Sequence, residues 1–461
     1  MSEPILILGA GVTGLAAGAA SGGLVLEAEG SPGGLCASYY MTPSGQRLDR
    51  PPTDGEAYRF EIGGGHWIWG ADALAEKVFR RFSTPRCHGR SAAAYLPERE
   101  LLVPAPLQHA LGRLGPEAAH RAVVEILEAR EQSTSADNLD EHLRLRFGRT
   151  LHELFFGPFH DLYTAGLSKQ VEPPDDAKSP LSIGSVLAGA FGATPKRGYN
   201  ARFLYPAEGL DAVARGLAAQ GRVEYGASVE AIDLEAQQVC LGDGRRLDYE
   251  TLASTLPLDT TLRLAGLEAD PGEAADPATS ALVLNLGARR GRRFPYEQWI
   301  YVPRSRSGLH RVGFYSSVDE SFLPASARDQ GELAALYVER AWRRERPPSE
   351  QERTAFVREA IAELNDWGWI REVEVADLTW AQTAYAWKRP GSGWRVKALR
   401  ALESRGVAPL GRYGRWETAL GRQGVVENLR AGFAAGAALR CAGVGGRRTY
   451  EASDRALLAA G

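Results

Sequence analysis

Residues 5–34 read ILILGAGVTGLAAGAASGGLVLEAEGSPGG. Four apolar residues, Ile5 to Leu8, run straight into Gly9-x-Gly11-x-x-Gly14, and Leu15 to Ala20 continue in the small apolar residues of a helix packed on a sheet. Each glycine has its own task. Gly9 permits the tight turn, Gly11 lets a pyrophosphate approach the backbone, and Gly14 lets the helix lie close on the strand. The free N–H groups and positive dipole end of the helix then face that pyrophosphate. Ser21-Gly22-Gly23 interrupts the helix, and LVLE forms a second strand ending in Glu27. An acid about 20 residues beyond the first glycine is the ribose ligand of a dinucleotide fold. Strand, glycines, helix, strand and acid stand in register, so the stretch reads as a dinucleotide-binding βαβ unit.

The rest of the composition sets bounds. A chain of 461 residues exceeds one compact core and predicts two domains or a cofactor domain with large insertions. With 44% hydrophobic and 24% charged residues and a net charge of −3, it reads as an ordinary globular protein, with no bulk attraction to nucleic acid or to an anionic membrane. The opening MSEPILILGAG lacks a basic leader region, and no apolar run reaches the roughly 18 residues of a spanning helix, so a cytoplasmic protein without a membrane span is expected. Cys36, Cys87, Cys240 and Cys441 lie singly, without metal-ligand spacing. Reduced thiols and no metal site are expected.

After Glu27 a second glycine pair, Gly33-Gly34, follows, and a third cluster, FEIGGGHWIWG, spans Phe60 to Gly70. Three glycine-rich turns within 70 residues suggest backbone lying against a large flat ligand. The pair resembles that of the FAD-binding amine oxidases and their relatives, and the third cluster resembles their turn beside the flavin ring, which would place Gly64, Gly65 and His66 there. Further segments extend the likeness: LLVPAPLQ (Leu101 to Gln108), RFGRTLHELFFGPFHDLY (Arg146 to Tyr163), GYNARFLYPAEGLDAVARGLA (Gly198 to Ala218) and LGRYGRWETALGRQGVVENLRAGFAAG (Leu410 to Gly436). In this order they resemble the UDP-galactopyranose mutase and protoporphyrinogen oxidase-like flavoproteins.

The resemblance implies an α/β fold: a Rossmann-type FAD-binding domain of the amine-oxidase kind with a discontinuous α+β substrate domain. Residues 1–75, 201–270 and 405–461 are assigned to the FAD domain, 76–200 to a helical part of the substrate domain and 271–404 to its sheet part. EAAHRAVVEILEAREQ supports a helix, with Val123, Ile126 and Leu127 at helical spacing. The alternating stretch from Arg222 to Pro257 predicts strands, with Gly242-Asp243-Gly244 as a hairpin. ALVLNLG, WIYVP and HRVGFYS read as further strands. By resemblance, Val229 sits near the adenine, and Gly424 and Val425 begin a helix aimed at the flavin pyrimidine edge.

Mutases of this group use reduced FAD as a nucleophile toward the anomeric carbon of a nucleotide sugar, with a donor such as NAD(P)H to reduce it. Cations must hold the departing diphosphate, and the planar fork of arginine suits that task. The segment GLHRVGFYSSVDESF resembles the one carrying a diphosphate arginine, which assigns Arg311, with Tyr315 covering sugar or phosphates. Arg412 in GRYGRW is placed near flavin and substrate, and His66 beside the ring. Arginine alone is weak evidence, since 48 of the 54 basic residues are arginines. Trp67 and Trp69 alternate with Ile68 and receive no role.

Two departures bear on the substrate. Where a second diphosphate arginine is expected the chain has Gln170, with Lys169 as the nearby cation, and where lysine and tryptophan are usual it offers Leu162 and Thr164. Three readings stay open: a pyranose–furanose mutase on a nucleotide sugar, an FAD-dependent oxidase or dehydrogenase of amines or carbon centres, and a flavin-binding partner protein whose pocket has decayed.

Overall fold

The computed structural model describes residues 3–131, 136–173, 180–193, 201–418 and 424–444. The expected parallel sheet forms around the strand Glu3–Leu8. Leu24–Leu26 lies on one side of it, followed by Arg222–Glu224, and Arg246–Ser254 lies on the other, followed by Val407–Pro409, all parallel. Ile7 and Leu6 are fully buried, as a central strand covered on both faces requires. The strands Val229–Asp233 and Gln238–Leu241 add an antiparallel meander to Arg246–Ser254. Its hairpin closes where Gly242-Asp243-Gly244 was expected, with Gly244 at φ +86°.

The first helix, Val12–Ser21, is covered by the helix Val425–Val444. Small residues set how closely they meet: a Cβ added to Gly432 would lie 2.3 Å from Thr13 O, and one added to Gly436 would lie 2.4 Å from Ala17 O. Residues 445–461 of the assigned FAD domain, the start of GYNARFL and the segment 419–423 within the last landmark lie outside the described residues.

A second sheet has seven strands in the order Ile370–Ala386, Ala278–Arg290, Leu333–Arg343, Arg311–Phe314, Trp299–Tyr301, Ala92–Leu96, Leu101–Pro104. All pairs are antiparallel except Trp299–Tyr301 with Ala92–Leu96. The helical expectation for 76–200 is corrected here. Pro85–Gly89 pairs with Arg202–Pro206, and Ala92–Leu96 with Leu101–Pro104 completes the edge of the large sheet. The physical reason is burial: Ala93 to Leu96 are inside the core, and only pairing with the adjacent strand satisfies their backbone groups. The helix Pro116–Glu131 forms as read, with Ile126 buried, but Leu127 is 42% exposed.

RFGRTLHELFFGPFHDLY folds into a broken helix. Gly148 leaves the helical region at φ +75°, a π-turn covers His152–Phe156, and Gly157–Tyr163 continues. Glu125 holds the break, accepting from Thr150 N at 2.6 Å and Thr150 Oγ1 at 2.9 Å. Phe155, Phe159 and Tyr163 stack in a column toward the large sheet. Among the described residues no helix is long and apolar enough to cross a membrane.

Candidate active site

The N-terminal turn separates its three glycines by task. Gly9, at φ +94°, donates its N–H to Leu26 O at 2.8 Å, and a Cβ there would meet Thr255 Oγ1 at 2.6 Å. A Cβ on Gly14 would lie 1.9 Å from Gly9 O, so this glycine closes helix onto strand. At Gly11 nothing lies within 4 Å of the added Cβ. The space over Gly11 fronts the N-terminus of Val12–Ser21, a cradle whose shape and dipole fit a diphosphate. Gly33 N donates to Ala10 O at 2.9 Å, and Gly33 and Gly34 take φ +115° and +56°, which lets this second turn close over the first.

Glu27 follows its strand and accepts from Ala10 N at 2.7 Å and Glu29 N at 3.0 Å, so its carboxylate is fixed beside the cradle. Ala227 N donates to Glu27 O at 2.8 Å, which brings the chain just before Val229 to the same edge. At the far end, Gly424 starts the last helix, its N–H donating to Glu427 at 2.8 Å, with Val425 buried behind it. Asn428 accepts from Thr13 Oγ1 and from Arg412 N, both at 3.1 Å, tying the first helix, the last helix and Arg412 together. These residues could hold FAD along one face of the parallel sheet.

The turn Gly63–Gly65 meets the large sheet. A Cβ on Gly64 would lie 2.8 Å from Glu339 Oε1, and one on Gly65 would lie 2.4 Å from the Tyr337 hydroxyl. Only glycine admits so close an approach. His66 Nδ1 lies 3.0 Å from Gly64 O, which assigns the proton to Nδ1 and leaves Nε2 as an acceptor. Burial lowers the His66 pKa against that hydrogen bond and the Glu339 charge, so the ring is neutral.

Arg311 stands opposite Glu339 in the antiparallel ladder, and its Nη2 donates to both carboxylate oxygens, at 2.5 and 2.6 Å. Burial by itself would raise the Glu339 carboxyl; the Arg311 charge outweighs it and holds it down at about 2. Around this pair stand tyrosines. Tyr163 meets Tyr385 at 4.8 Å between centroids, and the Arg412 guanidinium lies 5.5 Å from the Tyr385 ring and 5.4 Å from that of Tyr413. Arg311 and Arg412 both draw the Tyr163 phenol down against burial, which pushes it up further. The Nε atoms of both arginines are buried without a hydrogen-bond partner. A buried unpaired donor is costly, so two of them in one centre favour an acceptor there, as do the Nε atoms of Arg59 and Arg90 at their own places.

Of the residues expected here, Arg311, Arg412 and His66 come together. Tyr315 does not join them. It is fully buried, donates its hydroxyl to Asn285 Oδ1 at 3.1 Å and stacks on Phe322, because it opens a 3₁₀ turn that carries its ring behind Tyr337. Thr164 caps its helix, donating to His160 O at 2.7 Å, while Lys169 and Gln170 are exposed. Trp67 and Trp69 pack on Phe203 within an aromatic core. Sequence reasoning missed Glu339, His310 and Tyr385. Glu339 is 28 residues from Arg311, and only strand register makes it a partner. Tyr163 stood inside a quoted landmark, and its helical spacing from Phe159 and Phe155 was a usable signal.

The sequence matches the family described as flavin containing amine oxidoreductase over residues 23–410. Among solved structures, a reduced UDP-galactopyranose mutase is similar at 19% identity and a TM-score of 0.81, covering 97% of this chain and 96% of that one. Cyclohexylamine oxidase from Brevibacterium oxydans is similar at 14% identity and a TM-score of 0.58, covering 95% and 99%. A redesigned putrescine oxidase is similar at 15% identity and a TM-score of 0.55, covering 96% and 99%. No curated protein sequence matches.

Proposed function

This chain belongs to the flavin-containing amine oxidoreductase family, and within it we propose an FAD-dependent pyranose–furanose mutase acting on a nucleotide sugar. One observation carries the reading: Arg311 and Arg412 enclose a hydroxyl-rich centre with their Nε donors unpaired. Two guanidiniums against the single carboxylate of Glu339 leave the centre positive. A diphosphate is drawn to such a place, whereas a protonated amine is repelled from it.

In this reading Gly9, Gly11, Gly14, Gly33 and Gly34 shape the diphosphate cradle, Glu27 takes the ribose, and Val229 borders the adenine. Gly64, Gly65, Gly424 and Val425 border the ring. Bound there in reduced form, FAD supplies a nucleophilic nitrogen for the anomeric carbon. Arg311 and Arg412 hold the departing diphosphate, each charge-assisted hydrogen bond contributing about 1.5–3 kcal/mol. Arg412 supplies the second cation that Gln170 does not. His66, neutral with Nε2 as acceptor, receives or returns a proton at the ring edge. Tyr163 and Tyr385 offer hydroxyls to the phosphates or the sugar and exclude bulk water.

The test is anaerobic incubation of oxidised and pre-reduced holoenzyme with UDP-, GDP- and TDP-sugars, followed by chromatography for furanose isomers. Isomer formation only by reduced enzyme, without stoichiometric consumption of reductant, is expected. Bleaching of oxidised enzyme by an amine, with peroxide released in air, overturns the proposal in favour of an oxidase.

A further inference from the structure

His310 precedes the strand that carries Arg311, is 1% exposed, and has no hydrogen bond at either ring nitrogen. Its backbone N–H donates to Glu339 O at 2.9 Å, and its Nε2 lies 3.5 Å from Glu339 Oε2. Glu339 therefore stands between a guanidinium that is engaged and an imidazole that is waiting. Its side chain is 3% exposed, so it cannot turn to water.

The engaged partner is also the arginine the substrate needs. A guanidinium grips phosphate in pairs through Nη1 with Nη2 or through Nε with Nη2, so both faces of the fork include Nη2. Glu339 occupies Nη2 with both of its oxygens. A diphosphate that takes either face must compete with it, and a buried carboxylate that loses its only cation is strongly disfavoured.

We infer that His310 is a positioning residue that takes over Glu339 when a diphosphate takes Arg311, and that this exchange draws one proton from solvent into the site. The balance is simple: free enzyme, anion and one proton give a complex in which imidazolium His310 pairs with Glu339 and Arg311 pairs with phosphate. Burial keeps His310 neutral in the free enzyme, against the pull of Glu339 and in concert with Arg311. Once Arg311 is neutralised by phosphate, the Glu339 charge acts on His310 alone. The other titratable and charged groups facing this exchange are Tyr163, whose ring meets His310 at 5.5 Å, and, around Arg311 and Glu339, His66, Tyr337, Tyr385, Tyr301 and Arg412. Tyr163, Tyr337 and Tyr385 are pushed up by burial and stay protonated, so His66 is the competing proton acceptor.

The inference rests on the nucleotide-sugar reading, and calorimetry of FAD-loaded enzyme with UDP-galactose separates the two. The bridging diphosphate of this probe does not titrate near neutrality, so protons counted from binding heats in buffers of different ionisation enthalpy report on the protein. About one proton taken up near pH 7.5 is expected, with affinity falling roughly tenfold per pH unit on the alkaline side. His310→Gln should bind with no uptake and a flat pH profile, and His66→Gln should keep both. Binding without uptake in the unaltered enzyme, or uptake that survives His310→Gln, overturns the exchange. No binding of any of the UDP-, GDP- and TDP-sugars at any pH overturns the nucleotide-sugar reading and the exchange with it.

Discussion

Gly11→Val isolates the cofactor cradle from the fold. Gly11 has φ −68° and ψ 173°, a conformation any residue adopts, and the space around its added Cβ is open to 4 Å. It makes no side-chain cap, so the helix Val12–Ser21 loses little when it is replaced. A change of less than about 1 kcal/mol in folding stability is expected. The cofactor is affected differently, because the valine methyls fill the volume in front of the helix N-terminus. Displacing a diphosphate from two such N–H donors forfeits about 3–6 kcal/mol, or roughly 10²- to 10⁴-fold in affinity. Gly14→Ala is the contrasting variant: its Cβ would lie 1.9 Å from Gly9 O, so it should disturb the fold itself. Circular dichroism and denaturant unfolding report the fold, and the visible flavin spectrum reports occupancy. A well-folded, colourless Gly11→Val protein is expected. A variant with full flavin occupancy would refute the cradle, and one that fails to fold would show that Gly11 serves packing instead.

Three further outcomes follow from the same geometry. Arg311→Ala should weaken UDP-galactose binding about 30- to 1000-fold by calorimetry while leaving the flavin spectrum unchanged, since it removes a desolvated charge contact worth about 2–4 kcal/mol; equal affinity would make the arginine structural. Tyr315→Phe should cost about 1 kcal/mol of stability in denaturant unfolding through the lost Asn285 bond, with the KM for the nucleotide sugar unaltered. Glu61 is fully buried with one oxygen unpartnered, and burial raises its carboxyl to about 8 despite the Tyr205 hydrogen bond and the Arg59 charge. Between the unfolded value near 4.5 and about 8 the native state keeps a proton that the unfolded chain has lost, so stability falls as pH rises through that window, by up to about 1.4 kcal/mol per unit. Unfolding free energies of Glu61→Gln measured from pH 5 to 8 should lack this slope; identical slopes in both proteins would place Glu61 outside the titration.

Much of the cofactor half was legible because its signals are local. A run such as Ile5 to Leu8, a glycine turn and an acid 18 residues beyond Gly9 constrain backbone conformation within one βαβ unit, where sequence distance and spatial distance nearly coincide. Gly11 and Gly14 could be given different tasks before any contact was known, and the open space at one and the 1.9 Å approach at the other follow those tasks. The strands around Gly242 and the helix Pro116–Glu131 were read for the same reason, from period and turn residues. Tertiary structure decided what depends on register between distant strands. Pairing turned 92–104 from presumed helix into the sheet edge, placed Glu339 on Arg311 and His310 beside both, and turned Tyr315 into the core behind Tyr337. A shift of one residue in that ladder would send every one of these side chains to the opposite face. Nothing in the local sequence specifies the shift, because the energy that fixes it comes from burying both faces of a seven-stranded sheet at once.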